Sequence, residues 1–305
     1  MPAIVYIAGA ARSGSTLLGE ILGAQPRVLD GGEMALFWRD AARGNRCACG
    51  QRLIDCEVWG AALGQIQAEH GITRDEYSTL ATTRARLSRT TRPRRLAQMR
   101  RDPASWTADE QRLVSATSAL VNSALSITDS EVLIDTSKTL PALLFHDLDD
   151  SNNVTTVQLI RDPRAVAAST LRSRNVQRGN EESLPPGGSL SAAILRWLSA
   201  NSTAALGRWR AQHGLKIRYE ELMQRPATVT QALCSVSGIA FDPSTFVGNE
   251  LRPRETSHAA VGNPRRGGSG PTKLIADERW RDELTTTQQR LVAAPTWLMN
   301  RLLSG

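Results

Sequence analysis

A chain of 305 residues, 41% hydrophobic and 22% charged, can bury a substantial core and has an ordinary globular composition. Its formal charge of +7 is local: Arg84 to Arg101 holds eight arginines and no acid, so the remainder lies near −1, which argues against the whole protein being a nucleic-acid binder. No stretch approaches the ~18–20 consecutive apolar residues of a membrane span, and no basic region precedes the first apolar run as in a secretion signal, so a cytoplasmic location is expected.

Val5-Tyr6-Ile7 reads as a buried strand and Ser15 to Leu22 as the start of an amphipathic helix. Between them lies Gly9-Ala-Ala-Arg-Ser-Gly-Ser-Thr16, close to the phosphate loop G-x-x-x-x-G-K-[ST], whose backbone N–H groups cradle phosphate. The loop lysine is missing: Ser15 stands in its place, and Arg12 appears three residues earlier. Strand, glycine loop and helix are the arrangement an anion cradle needs, because the helix N-terminus adds partial positive charge. Asp30-Gly-Gly-Glu33 follows this helix, where a second strand should begin.

Three of the four cysteines cluster as Cys47, Cys49 and Cys56. In a reducing cytosol they are expected to be thiols, although C-x-C with a third cysteine could also form a disulfide or part of a zinc site. A tetrahedral site needs a fourth ligand, and nothing nearby has the familiar spacing, so no metal is assigned. Residues 60 to 129 read as largely helical, with Thr107-Ala-Asp-Glu110 as a capping box, and are expected to form an insertion in a single 1–305 domain that contributes to acceptor binding. The arginine run within it reads as a solvated helical face, or as a surface where an acidic acceptor, lipid or partner would relieve self-repulsion.

An α/β rhythm resumes with a strand at Val132-Leu133-Ile134, a helix near 139 to 149 and a strand at Thr156 to Ile160. Asp162 and Pro163 form an N-cap and N1 pair for a helix over 163 to 175. After the Pro- and Gly-rich loop from Asn180 to Gly188, a helix over about 190 to 212 leads to a strand at Leu215 to Tyr219, and Pro226 opens a helix ending near Gly238. Cys234 in that helix reads as core. Alternating strands and helices predict a parallel sheet covered on both faces, with ligand at the carboxyl ends of the strands. The Gly262 to Gly270 tail, GNPRRGGSG, reads as too flexible and basic for core.

Leu159-Ile-Arg-Asp-Pro-Arg-Ala-Val-Ala-Ala-Ser169 places an arginine at a strand end and a hydroxyl two turns into the next helix, a second anion seat on the same crevice. Here the sequence resembles the sulfotransferases that use 3′-phosphoadenosine 5′-phosphosulfate (PAPS). Gly9 to Thr16 is similar to their 5′-phosphosulfate loop, in the arginine-containing form of carbohydrate, tyrosylprotein and many bacterial members. The resemblance assigns Arg12, Ser13, Gly14, Ser15 and Thr16 to the donor, and Arg161 and Ser169 to its 3′-phosphate. Arg218-Tyr219-Glu220-Glu221-Leu222 with Arg225-Pro226 is similar to the segment near the adenine, assigning Tyr219, and Gly262-Asn-Pro-Arg265-Arg266 to the basic loop that closes over the nucleotide.

A sulfuryl group in flight carries less negative charge than a phosphoryl group, for which kinases use Mg²⁺ and the loop lysine. Loop amides, the hydroxyls of Ser15 and Thr16, Arg12 and one more cation would suffice, with no metal required. Lys138, in Asp135-Thr-Ser-Lys138, is similar in position to the catalytic lysine of tyrosylprotein sulfotransferases, and Glu33 matches their catalytic glutamate. As a base, Glu33 would take the proton of an acceptor hydroxyl; as a structural residue it would cap a helix over Met34 to Arg39. None of His70, His146, His213 or His258 sits where steroid and phenol sulfotransferases carry a histidine base. The resemblance therefore implies transfer from PAPS to a small-molecule, carbohydrate or lipid-like hydroxyl, anionic acceptors included, leaving 3′,5′-adenosine bisphosphate (PAP). Two other readings stand beside it: a kinase or NTPase, with Asp135 imitating a Mg²⁺ ligand, and a basic nucleic-acid binder, which 5% aromatic residues do not favour.

Overall fold

The computed structural model describes residues 3–89, 93–172, 189–211, 213–253, 256–260 and 270–304. The first strand, β1 (Ala3–Gly9), is followed by α1 (Ser15–Gly23), β2 (Val28–Gly32) and α2 (Phe37–Arg43). Four helices come next: α3 (Trp59–His70), α4 (Tyr77–Leu87), α5 (Pro93–Arg101) and α6 (Ala108–Ile127). Then β3 (Val132–Lys138), α7 (Leu140–His146), β4 (Asn153–Ile160), α8 (Pro163–Arg172), α9 (Leu190–Arg210) and β5 (His213–Arg218) restore the alternation. The chain continues through α10 (Tyr219–Gln224), α11 (Pro226–Ser237), the two-residue strands β6 (Phe246–Val247), β7 (Glu250–Leu251) and β8 (Thr272–Lys273), and α12 (Trp280–Glu283) and α13 (Thr286–Ser304).

Strands β1 to β5 form a parallel sheet in the order β2-β3-β1-β4-β5. The chain leaves β1 toward β2 on one side and later passes from β3 across β1 to β4, so the strand order reverses at β1. A crevice at the carboxyl ends of the strands is the physical consequence. Register aligns its walls: Ala8 pairs with Lys138, Gly9 with Leu159 and Gly32 with Asp135. The second strand is complete before Glu33, correcting the expectation that it begins there; Glu33 instead leaves its carboxyl end.

Strand alternation divides the core. Val5, Ile7, Val132 and Ile134 face α1, α10 and α11, where Leu18, Ile21, Leu22, Leu222 and Leu233 are buried. On the opposite face, Leu133 packs with Phe37, Trp38, Trp59, Tyr77 and Leu120 from the α2–α6 block, while Tyr6 and Ala8 pack with α7 and α9. The helices between 59 and 127 thus share a core with the sheet, at ~1.5–3 kcal/mol per fully buried large apolar side chain. The Thr107–Glu110 capping box forms: the Glu110 amide donates to Thr107 Oγ1 at 3.3 Å and the Thr107 amide to Glu110 Oε2 at 2.9 Å. Cys234 is buried, as read from its helix.

Part of the arginine run departs from the solvated face expected of it. Arg84 is buried, its guanidinium 3.9 Å above the Phe145 ring. Arg95 forms a bidentate pair with the buried Glu110, and Arg100 pairs with Asp150. Two of the eight arginines thus meet acids elsewhere in the chain, and Arg89, Arg94, Arg100 and Arg101 are exposed. Arg92 lies outside the described residues, as do Arg265, Arg266 and the 180–188 loop.

Candidate active site

The glycine loop is shaped by three residues at positive φ, Gly9 at 148°, Arg12 at 70° and Gly14 at 95°. Gly14 precedes α1, so the first amides of that helix point out of the loop without intrahelical acceptors. A Cβ on Gly14 would lie 2.7 Å from Cδ2 of Tyr219, so the loop backbone rests directly on that ring. Arg161 covers the ring with its Cζ 4.4 Å from the centroid, a cation–π contact.

The two sequence motifs meet here. Arg12 Nε donates to Ser169 Oγ at 3.0 Å, and Arg161 Nη1 donates to the Arg12 carbonyl at 2.9 Å. Arg161 and Ser169 are both buried. Arg161 Nη2 reaches the Asp277 carbonyl at 3.2 Å and its carboxylate at 3.4 Å. Hydrogen bonds from Arg279 hold that carboxyl well below the usual carboxylate range despite partial burial. Two buried polar atoms, Ser13 Oγ and Arg161 Nε, have no hydrogen-bond partner among the described residues. Buried polar groups are normally satisfied, so a loop hydroxyl and a guanidinium N–H left over beside an anion cradle fit an anionic ligand such as a nucleotide.

The second cluster occupies the ends of β2 and β3. Lys138, at a φ of 71°, reaches back so that its Nζ lies 2.7 Å from Glu33 Oε1 and 2.8 Å from the Thr136 carbonyl. Glu33 makes no side-chain cap to the turn at Met34–Leu36, so its carboxylate meets a cation and does not cap the helix. Both side chains are partly exposed toward the crevice edge, Lys138 at 15% and Glu33 at 25%.

Asp135, which sequence assigns no site role in the sulfuryl-transfer reading, organises this pair. Its Oδ1 accepts from the amides of Met34 at 3.3 Å and Ser137 at 2.8 Å and from Ser137 Oγ at 2.5 Å, while Oδ2 lies 2.7 Å from His146 Nε2. Ser137 Oγ accepts from the Ala35 amide at 2.9 Å. Asp135 therefore ties the residue after Glu33 to the residue before Lys138. Burial raises the Asp135 carboxyl, but the hydrogen bond and charge of His146, with the Ser137 donors, hold it below its ordinary value. Arg84 faces the same polar pocket: burial lowers it to about 10 against the pull of Asp135 and Tyr6. A carboxylate saturated by protein donors is poorly suited to hold Mg²⁺, which removes the main support for a kinase. A separate groove of about 600 Å³, lined by Gln65, Trp106, Ser118, Asn122 and Asp149, contains none of these residues.

Residues 2–253 match the sulfotransferase domain family. The chain belongs to the sulfotransferase family. Among solved structures, this sulfotransferase is similar to the sulfotransferase domain from the curacin biosynthetic pathway, at 16% identity, with 97% of each chain covered and a TM-score of 0.50. It is also similar to the sulfotransferase domain of the Synechococcus PCC 7002 olefin synthase, at 19% identity, covering 96% of this chain and 94% of that one, with a TM-score of 0.52. At these identities the likeness concerns the fold. No curated protein matches the chain by sequence. The enzyme is thus a sulfotransferase with a mixed α/β fold and a five-stranded parallel sheet. No helix among the described residues is long and apolar enough to cross a membrane. The matched region ends before Asp277 and the C-terminal helices, although Asp277 accepts from Arg161 and those helices pack on α8, which carries Ser169.

Proposed function

We propose that this sulfotransferase takes its sulfuryl group from PAPS and transfers it to a hydroxyl, with an amine as the lesser alternative, using the glutamate chemistry of the carbohydrate and tyrosylprotein branch in the cytoplasm. The reading is supported most by one convergence: Arg12, Ser169, Arg161 and Tyr219 meet at the glycine loop, beside the unpartnered Ser13 Oγ and Arg161 Nε. In this assignment the α1 amides, Ser15 and Thr16 hold the 5′-phosphosulfate, Arg161 and Ser169 the 3′-phosphate, and Tyr219 the adenine side. The family resemblance also assigns Arg265 and Arg266 to the nucleotide.

The chemistry is an in-line displacement. The acceptor oxygen forms the new bond to sulfur as the bond from sulfur to the 5′-phosphate oxygen breaks, leaving PAP. Glu33 takes the acceptor proton. Lys138 and Arg12 meet negative charge on the sulfuryl oxygens and the departing phosphate. Lys138 has a second task, since its ion pair aims Glu33 at the crevice. The acceptor is a small-molecule, carbohydrate or lipid-like alcohol that enters between the sheet edge and the helical insertion, whose exposed Arg89 and Arg94 favour an anionic one.

The test is ligand-dependent stability in the absence of Mg²⁺. A ligand at a hundred times its Kd adds about 2.7 kcal/mol to folding stability. PAP should therefore raise Tm clearly more than 5′-AMP at equal concentration. Equal responses to the two, or a response to ATP that requires Mg²⁺, would overturn the assignment.

A further inference from the structure

The three clustered cysteines lacked a fourth ligand in sequence; folding brings one from 202 residues away. Cys56 Sγ lies 3.3 Å from His258 Nδ1 and 3.7 Å from Cys49 Sγ, and the ligand atoms of Cys47, Cys49, Cys56 and His258 all fall within 4.8 Å of one another. We infer that Cys47, Cys49, Cys56 and His258 form a structural Zn²⁺ site, independent of the sulfuryl-transfer chemistry.

Tetrahedral Zn²⁺, with bonds of about 2.3 Å to sulfur and 2.0–2.1 Å to nitrogen, sets its ligand atoms about 3.5–3.8 Å apart. The cluster is already near that spacing. Cys47 and Cys56 are buried and Cys49 half-buried, so four protein ligands would close the coordination sphere, as structural zinc sites do. The local backbone is built for it. The Cys47 amide donates to the Gln51 carbonyl at 2.8 Å and the Gly50 amide to the Cys47 carbonyl at 2.9 Å, a tight turn in which Gly50 takes a φ of 89°. That turn folds Cys47 and Cys49 onto one side. A single disulfide would use only two of the three thiols and would leave the imidazole's placement without a reason.

The outer contacts point the same way. With Nδ1 turned to the thiols, His258 Nε2 lies 3.1 Å from Glu57 Oε1, the carboxylate support that fixes the orientation of a metal-ligating imidazole. Trp59 Nε1 donates to the His258 carbonyl at 2.5 Å, and the Ala48 amide to the Ala259 carbonyl at 3.1 Å. The next amide, Ala260, donates to the Gly31 carbonyl at 3.1 Å, two residues before Glu33. A metal here would staple the 47–56 loop to the segment that leads toward Arg265 and Arg266, anchoring both beside β2.

The experiment uses the full-length protein, expressed with zinc in the medium and purified without chelator. Elemental analysis should find one zinc per chain. Replacement by Co²⁺ should produce thiolate-to-cobalt charge-transfer absorption and the intense visible bands of a tetrahedral site. Cys49→Ser and His258→Ala should each lower the zinc content to a minor fraction, while Cys234→Ser leaves it at one. Because the cobalt spectrum is read on the unaltered chain, misfolding of a variant does not protect the inference. Absence of zinc with no cobalt charge-transfer band overturns it, as does a mass 2 Da below the reduced chain in freshly purified, unreduced protein, which indicates a disulfide. None of these readouts depends on PAPS or on turnover.

Discussion

Lys138 Nζ sits 2.7 Å from Glu33 Oε1, joining the ends of two adjacent strands across 105 residues of sequence. The contact separates two variants that would otherwise look alike. Glu33→Gln preserves shape and can still accept from Lys138, but it removes the base. Turnover should fall by about 10²–10⁴-fold, the usual loss for a general base, with PAP affinity unchanged. Lys138→Met removes the cation and also frees Glu33 to swing, so turnover should fall at least as far, again with a small effect on PAP binding. Single-turnover rates and PAP titrations on both proteins provide the check, and a Glu33→Gln variant with near-normal turnover refutes the base role.

Gly14 offers a test of the nucleotide side that leaves the catalytic pair alone. Its φ of 95° disfavours any side chain, and a methyl group would fall 2.7 Å from the Tyr219 ring. Gly14→Ala should push the ring away, disturb the Arg161 stack and weaken PAP binding by at least tenfold. The left-handed penalty of roughly 1–2 kcal/mol should appear as a modest drop in Tm. Tyr219→Ala, which removes the obstacle, should restore part of that Tm in the double variant while PAP affinity stays low. Equal PAP affinity in Gly14→Ala and the parent would disconnect this loop from the nucleotide.

Asp135 gives the acid limb of the stability curve a specific origin. Its folded-state carboxyl lies below the ordinary value of about 3.9. Ionised Asp135 therefore favours the folded state above about pH 4, and this contribution is lost as pH falls through the lower folded-state value. Asp135→Asn replaces an ionised acceptor of the Met34 and Ser137 donors with a neutral amide and should cost about 1.5–3 kcal/mol at neutral pH, the range for hydrogen bonds to a charged group. The difference from the parent should shrink as pH falls below 4. Because Asp135 also seats the residues next to Glu33 and Lys138, the folded fraction should turn over more slowly with nearly unchanged PAP affinity. Urea titrations from pH 3 to 7 would expose a stability difference that does not narrow in acid, contrary to this account.

What could be read from the sequence, and what could not, divides along contact range. The glycine loop, the Thr107 capping box and the strand–helix alternation from 132 to 238 depend on spacing within a few residues, so local pattern revealed them. Glu33 and Lys138 emerged through family resemblance, although their contact is visible only after strand register aligns Gly32 with Asp135. The zinc ligand His258 and the Arg161 partner Asp277 lie more than 100 residues from their counterparts, with no short-range pattern to link them. Arg84 looked like one more exposed cation because nothing near it in sequence announces Phe145 beneath its guanidinium.

That correction changes how the arginine-rich helices are to be tested. Arg95 cannot be grouped with the surface charges: Arg95→Ala would strand the buried Glu110 carboxylate and the Ser105 carbonyl it also caps, costing up to about 3–5 kcal/mol. Any change in turnover in that variant would confound folding with recognition. Arg89 and Arg94 are exposed, so Arg89→Gln with Arg94→Gln should change stability by less than about 0.5 kcal/mol, as for surface substitutions generally. If the arginine-rich helices draw in an anionic acceptor, the double variant should raise acceptor KM several-fold at low salt. The gap should close at high salt, since the Debye length falls from about 10 Å at 0.1 M to about 3 Å at 1 M. PAP affinity should be the same in both proteins, because the nucleotide residues lie on other elements. An acceptor KM that is equal in parent and double variant at low salt would assign these arginines to solvation alone.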